Sequence, residues 1–143
     1  MNSGTRPKLT VRAVPGKGRC VFAAEDIPAG ARVLSDPVIV VPGHESEFTD
    51  QCVVGRYIFQ WNEDGDICVV LGLGSLINHG LPENVSLHSN YEELTMDFVA
   101  ITNIKAGEEL VYDYGHESDE LAAYYGIEGE ESGVASIRSI AND

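Results

Sequence analysis

No run of apolar residues in this chain approaches the roughly 20 needed to cross a bilayer, and Met1 to Lys17 has no apolar stretch of signal-peptide type. Those absences lead us to expect an intracellular protein: cytoplasmic, or nuclear if eukaryotic or acting on host chromatin, with no membrane partner. Cysteine is scarce too. Cys20, Cys52 and Cys68 lie far apart in apolar surroundings, without CxxC spacing or a His/Cys cluster, which excludes a zinc module and a disulfide framework. We expect three buried, reduced thiols and no metal. Helical periodicity is nearly missing, and the chain carries a single tryptophan, Trp61.

Positive charge is the other scarcity. Arg6, Lys8, Arg12, Lys17 and Arg19 all precede the first acid, Glu25, leaving four basic residues against all twenty-three acids beyond Arg19, a balance of −19. A field of that sign repels phosphates and attracts basic peptides. It argues against direct nucleic-acid binding and for a basic protein or peptide partner, although solubility alone explains acidity equally well.

What is present is a series of short apolar runs divided by turn residues. Leu9–Val14 alternates as a strand does, Pro15-Gly16-Lys17-Gly18 is a turn, and Cys20–Ala23 is a second strand, which together make a hairpin. After the turn Asp26–Gly30 come a strand at Arg32–Ser35 and a separate, buried strand at Val38–Val41. His44 to Asp50 is polar and expected to be a loop. Tyr57–Trp61 and Ile67–Leu71 flank Asn62-Glu63-Asp64-Gly65-Asp66 as a second hairpin. Tyr57, Phe59 and Trp61 then share one strand face, a stripe best explained as core. Met96–Ile101 and Leu110–Tyr112 are further strands, with a turn at Lys105-Ala106-Gly107 between them, and Asp119–Tyr125 suits two turns of helix before Gly126. The chain, 143 residues long, is therefore expected to form one mainly β domain.

Three segments carry chemistry. Gly16-Lys17-Gly18-Arg19 lets backbone approach a ligand closely, because glycine has no Cβ, but it lacks the strand-to-helix context of a dinucleotide site. Asn78-His79 is a polar pair behind an apolar run and needs partners if buried. Gly107-Glu108-Glu109-Leu110 is followed by Val111-Tyr112-Asp113-Tyr114-Gly115, whose two tyrosines share a strand face. Singly, each has a bland structural explanation: a turn, a satisfied core pair, strand tyrosines in water.

In this order the three segments resemble the signature of SET-domain protein-lysine methyltransferases, over roughly residues 9 to 115. The resemblance implies several short-stranded sheets with a threaded C-terminal segment and little helix. It puts the domain at residues 9–126, after an N-terminal extension (1–8) and before an acidic tail (127–143). It also implies S-adenosylmethionine as cofactor, bordered by Lys17, Gly18, Arg19, Asn78, His79 and Tyr114. The family's tryptophan after the final box has no counterpart, so that aromatic surface falls to Tyr124 or Tyr125. Tyr114 is implied as the catalytic tyrosine, with Tyr112 beside it at the position that governs how many methyl groups fit. Tyr57, Trp61 and Tyr112 would line the substrate channel. The family reads Asn-His-Ser-Cys-x-Pro-Asn where this chain has Asn78-His79-Gly80-Leu81-Pro82-Glu83-Asn84. Leu87 stands where some members carry a pocket aromatic. The implied activity is methyl transfer to a lysine of a basic substrate such as a histone tail, mainly monomethylation, in a protein of a type that can form homodimers. The departures keep a second reading open, a weak or inactive module of the same fold that binds a basic or methylated peptide. A third, a structural β domain with coincidental motifs, requires three motifs to fall in family order by chance.

Overall fold

The computed structural model describes residues 6–113. Strands β1 (Leu9–Val14) and β2 (Gly18–Ala23) form the expected antiparallel hairpin. Its turn works because Gly16 and Gly18 both take φ +82°, a conformation that L side chains rarely adopt. β2 buries Cys20, Val21 and Ala23, whereas β1 stays mostly exposed, so the alternation in β1 shapes a strand without burying a face.

β3 (Arg32–Val41) is one ten-residue strand where two were expected. Its first part pairs with β8 (Thr95–Ala100) and its last four residues with β5 (Ile67–Val70). Pro37 lies at the change of partner, which is why a proline is tolerated within a continuous strand. A bulge between Arg32 and Leu34 lets the consecutive Val33 and Leu34 both face the core. The stretch Val38–Val41 is not the buried strand expected: Ile39 is exposed and its neighbours half-buried, because this half of β3 pairs with β5 alone.

With β4 (Ile58–Gln60) and β7 (Val85–Asn90), these strands form a five-stranded antiparallel sheet in the order β4-β5-β3-β8-β7. β8 shows the cleanest alternation, burying Met96, Phe98 and Ala100. The stripe on the β4 segment is not one-faced: Ile58 is buried as fully as Phe59, while Tyr57 is half-buried. The segment expected to be a loop, His44 to Asp50, instead forms a 3-10 turn at Gly43–Glu45 and the short helix α1 (Ser46–Asp50). Cys20 and Cys68 are buried as expected, but Cys52 is exposed, since it follows α1 on the surface. Among the described residues no helix is long and apolar enough to cross a membrane, and no group of side chains is placed to hold a metal ion.

The last element is a two-residue parallel pair, β6 (Asn78–His79) with β9 (Val111–Tyr112). It is tied to the hairpin by the chain leading into β9: Ala23 N donates to Glu108 O at 2.8 Å and Leu110 N to Val21 O at 2.8 Å. The segments singled out from the sequence therefore meet in space.

Candidate active site

The polar side of the site is built around Asn78, which is 1% exposed. Its Nδ2 lies within hydrogen-bond reach of Arg19 O (3.4 Å), Cys20 Sγ (3.1 Å) and Glu109 Oε2 (3.2 Å). Glu109 Oε1 in turn ion-pairs with Lys17 Nζ. One carboxylate thus joins the glycine turn, β6 and the entry to β9. Burial, reinforced by the negative charge of Glu109, pushes the Cys20 thiol up to about 11, so it remains protonated and packs as a small apolar group. The Oδ1 of Asn78 is buried and has no hydrogen-bond partner among the described residues. A buried acceptor left open in this way costs free energy unless a ligand donates to it.

A second asparagine locks the parallel pair. Asn84 Nδ2 donates to Glu109 O (2.9 Å), while Asn84 Oδ1 accepts from Val111 N (2.9 Å) and Asn84 N donates to Val111 O (3.0 Å). The side chain thereby satisfies backbone that a two-residue sheet leaves unpaired. Gly80, the residue after the Asn-His pair, donates its N–H to Tyr112 O at 3.1 Å. A Cβ on Gly80 would stand 2.7 Å from Val111 Cγ1, so close packing on β9 explains glycine where the family pattern has serine. His79 is buried beside the pair, with its Nδ1 3.8 Å from Asp113 Oδ1.

Tyr112 is 3% exposed and stacks on Phe59, with ring centroids 5.6 Å apart and planes 22° from parallel. Phe59 meets Phe98 edge to face at 6.3 Å, so the Tyr112 ring rests on a chain of aromatic contacts reaching into the sheet. On its other side Tyr112 borders a cleft of about 470 Å³ that runs along β7 and is walled by Trp61, Leu87 and Tyr91. Its charged lining consists of Glu63, Glu83 and Asp113, with His88 as the one titratable base among the described residues.

The structure thus links Lys17 and Arg19 to Asn78 around Glu109, sets His79 near Asp113, and places Tyr112 and Trp61 on the cleft. Tyr57 is not among the residues lining that cleft. Tyr114, Tyr124 and Tyr125 lie outside the described residues. Glu109 had no role assigned to it from the sequence, and Phe59 was expected only as core. The Gly-x-Gly turn and Asn78 offered no cue for Glu109, because Lys17 meets it across 92 residues. His88 is exposed and borders the cleft, its Nε2 2.8 Å from Ser86 Oγ.

Residues 18–115 match the SET domain family. The chain is 35% identical over 111 residues to the fission-yeast (Schizosaccharomyces pombe) histone-lysine N-methyltransferase, H3 lysine-37 specific, covering 77% of this chain and 75% of that protein. It is 30% identical over 131 residues to N-lysine methyltransferase KMT5A-A of Danio rerio, covering 82% of this chain but 38% of the relative. Among solved structures, ctPRC2 in an autoinhibited conformation bound to S-adenosylmethionine matches with a TM-score of 0.67 and 27% identity, over 84% of this chain and 16% of that one. The chain therefore spans three quarters of the yeast relative and well under half of the other two.

Proposed function

The chain belongs to the SET-domain family and is an S-adenosylmethionine-dependent protein-lysine N-methyltransferase, and we propose that it acts on a basic, histone-like segment and stops mainly at one methyl group. The observation that carries this proposal is the parallel pairing of β6 with β9, which sets Asn78 and Tyr112 on adjoining strands. One strand looks to a buried polar knot and the other to an open cleft.

The polar knot fits the cofactor. S-adenosylmethionine carries N–H donors at its amino-acid end and on adenine, and the buried Asn78 Oδ1 is an acceptor awaiting a donor. Asn78, His79 and the Lys17-Gly18-Arg19 backbone are the residues that would hold it. When bound, it supplies a methyl group on a positively charged sulfur.

The chain's own residues must then present a neutral amine in line with that methyl. A free lysine has a pKa near 10.4, so roughly 0.04% is neutral at pH 7. Glu63, Glu83 and Asp113 draw the ammonium toward the cleft, and the apolar wall of Tyr112 and Leu87 removes water from it. The carboxylates favour the charged amine, but desolvation against that wall disfavours it and lowers its pKa, so that its proton leaves to solvent before transfer. Tyr114 orients the amine, and holding both reactants in line lowers the barrier further. Tyr112, its ring stacked on Phe59, restricts the space available to an amine that already carries methyl groups.

Incubation of purified core histones with labelled S-adenosylmethionine, followed by mass spectrometry of the modified lysine, tests this reading. Monomethyl-lysine should dominate at all times. Mainly trimethyl-lysine overturns the product assignment, and the absence of label on every histone overturns the substrate class.

A further inference from the structure

The cleft has a second chemical feature that methyl transfer beside Tyr112 does not use. Trp61 is 5% exposed, and its carbonyl oxygen accepts two hydrogen bonds, from Ser89 Oγ at 2.7 Å and from Tyr91 OH at 3.3 Å. The second bond tethers Tyr91, which is 60% exposed, so that its ring meets Trp61 at 88° with centroids 5.2 Å apart. An exposed aromatic ring ordered in this way adds little to the core. It forms instead an edge-to-face corner with an exposed ring on the wall of the cleft. The charged groups that line the cleft are Glu63, two residues beyond Trp61 in the chain, with Glu83 and Asp113, and among the described residues no lysine or arginine lines it.

Ring faces of Trp and Tyr attract cations, the planar guanidinium of arginine above all, because it stacks flat while its N–H groups reach carboxylates. We propose that the Trp61–Tyr91 corner, with Glu63 beside it, is a binding subsite for an arginine side chain of the protein substrate that flanks the target lysine. The proposal rests on the reading that the cleft takes a lysine-bearing segment. It turns the general acidity of the chain into a directed preference: two cations on one substrate, the lysine at Tyr112 and the arginine at Tyr91.

The test uses synthetic peptides with one central lysine and, at each flanking position in turn, arginine, citrulline or alanine. Citrulline keeps the shape of arginine and removes its charge. Methylation of each peptide is followed by mass spectrometry with the wild-type chain, Tyr91→Ala and Glu63→Gln. At one or two positions arginine should raise kcat/KM over both alanine and citrulline by about 5- to 10-fold. That ratio should fall close to one in Tyr91→Ala and drop measurably in Glu63→Gln. Equal rates for arginine and citrulline, or an unchanged ratio in Tyr91→Ala, overturn the subsite. If the folded wild-type chain methylates none of the peptides, the enzymatic reading fails separately. Binding then decides the subsite through the fluorescence of Trp61, the sole tryptophan. An arginine peptide should perturb that emission at lower concentration than its citrulline counterpart, and identical titrations overturn the proposal.

Discussion

The five-stranded sheet and the two-residue β6–β9 pair hold together by opposite means. The sheet is stabilised by apolar burial: Phe98, Met96, Leu34, Ile58 and Phe59 are all nearly inaccessible, and its strands meet mainly through antiparallel pairing. The β6–β9 pair is too short to bury much of anything. Its strands come from distant parts of the chain, run parallel, and are fastened by side chains, with Asn84 on one flank and Asn78 with Glu109 on the other. Apolar burial is redundant and tolerates loss, whereas a polar clamp fails when one member is removed. The site stands where the robust part of the molecule meets the fragile one.

The sharpest way to break this contrast is Asn84→Ala. It deletes two hydrogen bonds and leaves Val111 N and Glu109 O without them in a partly buried setting. Stability should fall by about 2–4 kcal/mol, read by urea denaturation, and cofactor affinity should fall with it. A loss below about 0.5 kcal/mol, the level of an ordinary surface change, would mean that the pair is held by something other than this clamp. Tyr114→Phe probes the chemistry. Turnover should drop about 100-fold, as when one positioned polar group is removed from an active site, while the cofactor titrates as in the wild type. Turnover close to wild type would remove Tyr114 from the reaction.

The same contrast explains what could be seen in the sequence. Elements built from local instructions were legible. The β1–β2 and β4–β5 hairpins follow from their turns, where Gly16, Gly18 and Gly65 take positive φ, and β8 from strict alternation. Elements shaped by tertiary context were not. β3 continues through Pro37 because it changes partners there. β7, with Ser86, His88 and Ser89 among its six residues, is a polar edge strand that its pairing with β8 defines. For the site, motif resemblance pointed to Asn78 and Tyr112, which the fold places on paired strands. Periodicity could not reveal Glu109, Asn84 as a clamp, or the Phe59 support, since each acts through a residue remote in the chain.

Phe59 belongs to both regions, and its replacement sharpens the comparison. Phe59→Leu keeps an apolar core residue but removes the ring on which Tyr112 stacks. The stability cost should be about 1–3 kcal/mol, as for loss of part of a buried side chain. The distinguishing result is the product: with Tyr112 freed to tilt, the fraction of di- and trimethyl-lysine should rise several-fold over the wild type. A destabilised protein with an unchanged product ratio would make Phe59 a core residue and nothing more.

The smallest effect lies within the sheet, where two carboxylates respond to acid in opposite directions. Asp97 on β8 is partly buried, which pushes its pKa up, but hydrogen bonds from Ser35 Oγ (2.6 Å) and Thr95 Oγ1 (2.9 Å) outweigh this, and its carboxyl titrates below its ordinary value of 3.8. Asp36 on β3 is buried, and desolvation holds its carboxyl above 3.8 even though Gly74 N donates to it at 2.9 Å. A lowered folded-state pKa means that Asp97 contributes its full stabilisation above about pH 4 and loses it as pH falls through its folded value. A raised one means that the charged form of Asp36 is penalised at neutral pH, and protonation relieves the penalty as pH falls toward 4. Stability measured by urea denaturation should therefore decline less steeply below pH 4 in Asp97→Asn than in the wild type. Between pH 7 and about pH 5 that variant should run parallel to the wild-type curve and below it, because Asp97 is ionised there in both the folded and the unfolded chain and its stabilisation is constant. An acid limb in Asp97→Asn as steep as in the wild type would show that the Ser35 and Thr95 hydroxyls add nothing to the pairing of β3 with β8.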